Sequence, residues 1–195
     1  MKSKTLWVTR TGVLLALVLV AQFVGKLIPA GAVILGPVNT SQIITGSLVN
    51  MMLVIAAGIV GVGSGITIGV LSSLLATLLG IGPIFPQITP LIAVGNAILV
   101  LIIYFVFKAA NGLHGGAQIG VKIGGVLVAA IVKCGFLWFT VPKMLTLIPG
   151  VKPQQAKMLT IMFSWPQAVT AVIGGLLALA VLPAIKKALK SDAKN

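Results

Sequence analysis

The chain has 195 residues, of which 58% are hydrophobic and only 8% are charged, and its mean hydropathy is +1.19. This composition excludes a soluble globular domain of ordinary make-up and indicates an integral membrane protein. The net charge of +13 does not indicate nucleic-acid binding, because the basic residues lie between apolar segments and at both termini, where they would contact anionic lipid.

Six apolar segments, separated at Pro, Gly and Lys residues, predict six membrane-spanning helices. They cover approximately residues 7–27, 42–60, 64–79, 88–107, 119–140 and 164–185, and the third is the shortest. The sequence therefore predicts an all-α membrane protein that forms a single polytopic domain over residues 1–195.

The first segment has two interpretations. Lys2, Lys4, the apolar core that follows them and the triplet Ala30-Gly31-Ala32 resemble a secretory signal with its cleavage site. The other interpretation is a retained helix, because residues 11–25 are long for a signal core and carry small residues at helical spacing. Cleavage would leave five spans with the same C-terminal orientation.

The distribution of positive charge predicts that both termini are cytoplasmic. In that orientation nine basic residues lie inside, namely Lys2, Lys4, Arg10, Lys108, Lys122, Lys186, Lys187, Lys190 and Lys194. Four lie outside, namely Lys26, Lys143, Lys152 and Lys157. The substantial connections at residues 29–41, 80–86 and 141–163 also fall outside, so we expect function to face outward. Asn39, in the first of them, is a candidate ligand contact.

Lys133 lies in the apolar run Val-Ala-Ala-Ile-Val-Lys-Cys-Gly-Phe-Leu-Trp. No acidic residue near it in the sequence could pair with it, because Asp192 is the only acidic residue of the chain. A charged side chain inside a membrane costs about 2.5 to 3.5 kcal/mol on insertion scales, and it normally pairs or lines a cavity. Snorkelling to the outer headgroups is the alternative. However, the end of the span is about 10 Å of helix rise away, more than a lysine stem comfortably reaches. We therefore expect an anion from outside the chain to pair with Lys133.

Other polar residues fall at a similar depth. Thr45 and Asn50 lie in the outer half of the second span, Asn96 in that of the fourth and Gln167 in that of the sixth. Polar groups are tolerated in a bilayer mainly where they face the bundle interior or water, so this convergence predicts a ligand cavity. For the two asparagines, hydrogen bonding between helices is the alternative.

Two tryptophans lie near the outer ends of the fifth and sixth spans, at Trp138 and Trp165. Their rings could form the walls of the cavity and stack on an aromatic or apolar part of a ligand. The alternative is that they belong to the aromatic belt at the membrane surface.

Small residues recur at four-residue spacing in the second and third segments, at Ala57, Gly61, Gly65 and Gly69. Such stripes allow helices to approach closely in lipid, and packing within the protein is the preferred interpretation for this set. Gly12 and Ala16 form a similar pair on the first segment, which has fewer evident partners within the chain. We expect an intermolecular contact there.

Motifs for catalysis are missing from the sequence. It contains no G-x-x-x-x-G-K-[ST] phosphate loop, no H-E-x-x-H, no G-x-S-x-G and no membrane carboxylate that could carry a proton or bind sodium. Cys134 is the only cysteine, which excludes a disulfide or a multi-cysteine metal site within the chain. We therefore expect no catalytic residue, no metal and no cofactor, and any uphill transport would draw its energy from another chain.

Across nearly its whole length the chain resembles the substrate-binding S components of energy-coupling factor (ECF) transporters, the vitamin-uptake branch of ABC transporters. The resemblance rests on the six spans, the basic termini and the runs Ile44-Thr-Gly-Ser-Leu-Val-Asn50, Gly80-Ile-Gly-Pro83 and Pro90-Leu-Ile-Ala-Val-Gly-Asn-Ala-Ile-Leu-Val100. It implies a transport subunit of the bacterial cell membrane. Its implied partners are a transmembrane T component and two ABC-type ATPases, which would use the ATP.

The resemblance also implies positions for the sites. In that family an A-x-x-x-A motif on span one docks on the T component, and the matching positions here are Gly12 and Ala16. The ligand would lie near the outer face, among the outer loops and spans four to six, so that Lys133, Asn96 and Gln167 become its expected contacts.

Two functions of different classes follow from these observations. The first is an S component for an anionic vitamin, with pantothenate favoured because one carboxylate suits one lysine, although other carboxylated vitamins fit equally well by charge. The second is a non-transporting membrane scaffold whose polar residues only pin helices together. A self-sufficient secondary transporter is disfavoured, because membrane carboxylates and detectable inverted repeats are missing.

Overall fold

A computed structural model of the chain describes the backbone of residues 2–28, 33–35 and 38–192 and the side chains of residues 4–28 and 40–189. In order, the elements are α1 (Lys2–Leu27), β1 (Val33–Leu35), β2 (Val38–Asn39), α2 (Thr40–Ile59), α3 (Val62–Leu78), a 3-10 helix (Pro86–Ile88), α4 (Thr89–Ala110), α5 (Gly115–Leu147), α6 (Pro153–Met162) and α7 (Trp165–Asp192). The strands pair antiparallel, with Val33 opposite Asn39 and Leu35 opposite Val38.

Five stretches of the described residues are long and apolar enough to cross a membrane, and α3 is a shorter apolar helix. The five are Lys4–Leu27, Thr40–Ile59, Pro86–Ala110, Gly115–Leu147 and Pro153–Leu189. Apart from the two short strands and the connections, the described residues are helical. The predicted fold class, an all-α multi-pass membrane protein, is confirmed.

The connection predicted at residues 141–163 is mostly helical. α5 continues to Leu147 through Pro142, a residue that normally ends or kinks a helix. Tertiary packing supports the extension, because Val141 and Leu145 are both buried in an apolar cluster at this end of the bundle.

α6 is the helix that the sequence did not predict. Gly150 makes the preceding turn with a φ of 80°, a conformation that favours glycine. Pro153 lies in the first helical turn, where a missing N–H costs little. The backbone N–H of Lys152 donates to Gln155 Oε1 at 3.1 Å, and Leu159 is buried. The sequence did not predict this helix because its polar residues do not fit the pattern of an apolar span.

α1 packs along α2 and α3. The Thr11 hydroxyl donates to Ser64 Oγ at 2.8 Å, and Val18 is fully buried. Gly25 lies directly against the Thr45 side chain of α2, where a Cβ would overlap the hydroxyl. The triplet Ala30-Gly31-Ala32 lies outside the described residues.

α2 occupies the centre of the bundle and contacts α1, α3, α4 and α7, while α5 packs against α4 and α7. Gly65 and Gly69 bring α3 close to α4, because a Cβ at either position would overlap a side chain of that helix. Gly61 makes the turn between α2 and α3 with a φ of 120°. These contacts bring the polar faces of α2, α4 and α5 together.

Candidate functional site

A buried lysine held by two asparagines forms the centre of the candidate site. Lys133 on α5 donates from Nζ to Asn50 Oδ1 on α2 at 2.7 Å and to Asn96 Oδ1 on α4 at 2.8 Å. All three side chains are at most 3% exposed. The structure therefore joins three of the residues predicted to share one depth.

The amide groups of both asparagines are oriented by their own donors. Asn50 Nδ2 donates to the Gly46 carbonyl at 2.8 Å and to Thr170 Oγ1 on α7 at 3.4 Å. Asn96 Nδ2 donates to a backbone carbonyl of α3 and to Ser73 Oγ, both at 3.3 Å. With the nitrogens occupied in this way, both amide oxygens face the ammonium. The network ties five helices together around one positive charge.

The charge of Lys133 has no counter-ion in the cluster. Both acceptors are neutral amide oxygens, and no acidic residue precedes Asp192 in the sequence. An ammonium carries three N–H bonds, and among the described residues the third has no acceptor within hydrogen-bonding distance. In its protonated form the Lys133 side chain therefore has one unused donor and no counter-ion in the cluster.

The end of the bundle near the C-terminus of α5 is the one predicted to face outward. There α6 and the two residues that follow it form what we call the outer cap. The side-chain amides of Gln42 and Gln167 both donate to the Met162 carbonyl, at 2.9 and 3.2 Å. The thiol of Cys134, the neighbour of Lys133, donates to the Ser164 carbonyl at 3.2 Å. Gln167 thus stabilises the outer cap by a hydrogen bond and makes no hydrogen bond with Lys133.

An apolar layer joins the outer cap to the helices of the bundle. Its buried members are Ile88, Leu137, Val141, Leu145, Leu159 and Phe163. Leu137 lies one helical turn beyond Lys133 on the same side of α5, so the layer separates the ammonium from the outer end of the bundle. In this structure the cluster is closed.

The two tryptophans do not join the cluster. Trp138 is 64% exposed and Trp165 is 43% exposed, which fits the aromatic-belt interpretation. Trp138 follows Lys133 by five residues, and five helical steps turn the side chain by about 140° away from it. A helical-wheel argument could have detected this from the sequence.

Of the two other predicted contacts, Thr45 is separate from Lys133. Thr45 packs against Gly25 of α1, and its buried hydroxyl makes no hydrogen bond with a described residue. Asn39 ends β2, and its side chain lies outside the described part of the chain. Thr45 therefore lies outside the cluster, and the role of Asn39 stays a prediction.

A recess of about 450 Å³ opens beside the outer cap. Its lining includes Pro142, Leu145, Ile148, Val151, Lys157 and Thr160. Lys157 is the charged residue of this lining, and the α5 wall begins about 13 Å of helix rise beyond Lys133. Because the sequence interpretation treated this region as a loop, the recess was not predicted.

The pair Gly12 and Ala16 lies on the exposed side of α1, away from the buried Thr11 and Val18. A Cβ built at Gly12 would meet no atom within 4 Å. The smallness of these residues therefore serves no contact within the described chain, and it leaves a shallow face for another helix.

Comparison with known proteins gives the family. The family model described as "ECF transporter, substrate-specific component" matches residues 6–186. No curated protein and no solved structure matched the chain. The protein is thus a multi-pass transport subunit and not itself an enzyme, and its family implies association with a T component and ATPases. The chain belongs to the substrate-specific components of ECF transporters.

Proposed function

We propose that this chain captures a vitamin-like molecule bearing a carboxylate at the outer face of a bacterial cell membrane and delivers it for import. The observation that carries the proposal is the buried ammonium of Lys133, which is held only by neutral oxygens and keeps one N–H bond unused. Pantothenate is the favoured ligand, since its single carboxylate would match a single lysine.

Charge balance supports a ligand with an acidic group. Burial without a counter-ion disfavours the charged form of a lysine, and an anion placed beside it restores that form, because opposite charges attract strongly in a medium of low dielectric constant. The amide oxygens of Asn50 and Asn96 hold the ammonium in place before a ligand arrives. A carboxylate would then complete the coordination and neutralise the site in one step. A neutral, riboflavin-like ligand would leave the charge unbalanced.

Access to Lys133 requires the outer cap to move. Hydrogen bonds hold the cap closed. The side-chain amides of Gln42 and Gln167 donate to the Met162 carbonyl, and the Cys134 thiol donates to the Ser164 carbonyl. Hydrogen bonds between helices of membrane proteins contribute about 0.6 kcal/mol each on average, so these contacts are weak enough to open and close. The apolar layer would open when the outer cap moves, and its side chains could then surround the apolar portion of the ligand.

Import requires energy from partner chains. In this proposal the chain docks on the T component through the face of Gly12 and Ala16, and two partner ATPases use the ATP. Rotation of the whole bundle in the membrane would then expose the ligand to the inside. The exposed, sterically open side of α1 supports such a contact, because small residues favour close helix approach in lipid.

We expect Gly12→Leu and Ala16→Leu to lower recovery of the T component and the ATPases with the tagged chain at least tenfold and to abolish vitamin accumulation. Each leucine would hold the partner helix away. The measurement is copurification from cells that express all four chains, together with uptake of labelled pantothenate and other carboxylated vitamins. Gly135→Leu is the matched control, because a Cβ at this exposed glycine of α5 also meets no atom within 4 Å.

Unchanged recovery and uptake with both α1 variants would contradict docking through this face. If the unaltered chain neither recovers partners nor supports uptake of any carboxylated vitamin, the result would contradict the import function and favour the scaffold function.

A further inference from the structure

A second recess, with a volume of about 200 Å³, lies at the opposite end of the bundle from the outer cap. It is formed where the C-terminal ends of α2, α4 and α7 meet the N-terminal part of α5, the end predicted to be cytoplasmic. Its lining includes Gly58, Phe107, Lys108, Asn111, Lys122 and Lys186. We call it the inner recess.

Three helices each contribute one lysine to the inner recess: Lys108 from α4, Lys122 from α5 and Lys186 from α7. The charges of Lys122 and Lys186 are near enough to repel each other, and Lys122 Nζ lies 5.7 Å from the centre of the Phe107 ring. Among the described residues, none of the three ammoniums has a hydrogen-bond acceptor or an acidic partner. Bringing like charges together without an anion is unfavourable.

No acidic side chain lies among the residues whose side chains the structure describes. Asp192, the only acidic residue, follows Lys186 by six positions on α7, and helical neighbours are spaced by three or four. An anion that balances the inner recess would therefore come from another molecule.

We propose that the inner recess binds a phosphate group, and that its source is the headgroup of an anionic phospholipid. Lysine ammoniums bind phosphate as point charges, and the Asn111 side chain adds an amide donor to the same rim. Basic recesses between helices on the cytoplasmic side of membrane proteins suit anionic headgroups. The helices around the recess also carry exposed apolar side chains, such as Phe105 on α4 and Ile119 on α5, which would face the acyl chains.

The test uses the full chain in nanodiscs that contain equal amounts of phosphatidylglycerol and phosphatidylcholine, followed by mild detergent extraction and quantification of the retained lipid by mass spectrometry. We expect phosphatidylglycerol to be retained preferentially. The double variant Lys122→Gln/Lys186→Gln should weaken its retention roughly tenfold to thirtyfold. Lys4→Gln/Lys187→Gln removes the same charge at the same predicted membrane face but outside the inner recess, and it should retain the lipid.

A second arm measures binding of inorganic phosphate to lipid-depleted protein by calorimetry. Phosphate binding that the recess variant abolishes, without any lipid preference, would support the site and assign it to a soluble phosphate. Binding of neither probe would overturn the proposal, and so would equal losses in the recess and control variants. Lys186→Gln alone alters only an exposed side chain, so it keeps the test valid if the double variant does not fold. It should still weaken binding severalfold, and unchanged binding would count against the site.

Discussion

Replacing Asn50 or Asn96 by alanine is expected to destabilise the bundle more than replacing Lys133 by methionine. Removal of either asparagine leaves a buried ammonium with one acceptor, and the loss of a hydrogen bond to a charged group costs about 1.5 to 3 kcal/mol. Methionine removes two such bonds, but it also removes a charge whose burial costs about 2.5 to 3.5 kcal/mol. The relieved charge offsets a large part of the two lost bonds, so we expect Lys133→Met to cost about 0 to 3 kcal/mol. This is less than the cost of an asparagine variant, which also loses the bonds that its Nδ2 donates.

The measurement is reversible unfolding of the three variants in mixed detergent micelles. Combining Asn50→Ala with Lys133→Met should cost less than the sum of the two single changes, because the neutral methionine no longer needs the acceptor. If Lys133→Met lowers the free energy of unfolding as much as the asparagine variants do, Lys133 serves to stabilise the fold, and the result would contradict the ligand hypothesis.

Substituting Gly174 by alanine is expected to separate α7 from α2 and to destabilise the fold by about 1 to 3 kcal/mol or more. An added Cβ would overlap the Ser47 carbonyl oxygen and lie 2.8 Å from both Asn50 Cβ and the Met51 nitrogen. Two of these three atoms belong to the backbone and cannot rotate away. The same shift would displace Asn50 from Lys133, so ligand retention should fall together with stability.

Substitutions at two other glycines serve as comparisons for Gly174→Ala. Gly175→Ala would strike the Val126 side chain, which can adjust, and should cost less than Gly174→Ala. At Gly135 an added Cβ meets no atom within 4 Å, so Gly135→Ala should leave the thermal unfolding temperature in detergent unchanged or slightly higher, because alanine is the better helix former. Equal unfolding temperatures for all three variants would show that α2 and α7 are less closely packed than the structure indicates.

The central cluster could be predicted from the sequence, because the depth of a residue follows from the helical rise per residue and its polarity is known from its type. Counting residues from the span ends placed Lys133, Asn50 and Asn96 at one level, and the structure joins them by hydrogen bonds. The same arithmetic does not distinguish directions around the helix axis. It therefore grouped Trp138 with Lys133, although their side chains point to different sides of α5.

The closure of the site could not be predicted, because it depends on tertiary contacts between distant segments. α6 has too few apolar residues to be recognised as a span, and its position follows from burial of Leu159 beside Phe163 and from two glutamines that converge on the Met162 carbonyl. The inner recess likewise combines lysines from three helices. Sequence analysis assigned these lysines only to a membrane face.

The proposed function depends most directly on the ligand of Lys133. The measurement is mass spectrometry of small molecules released from protein purified under mild conditions, made in parallel for the unaltered chain, Lys133→Met and Lys143→Met. Lys143 lies on the same helix but is exposed, so its replacement removes an equal charge outside the cluster. We predict a carboxylate-bearing molecule in the unaltered chain and in Lys143→Met, and its loss from Lys133→Met. Equal recovery from all three proteins, or recovery of a neutral ligand, would contradict the account.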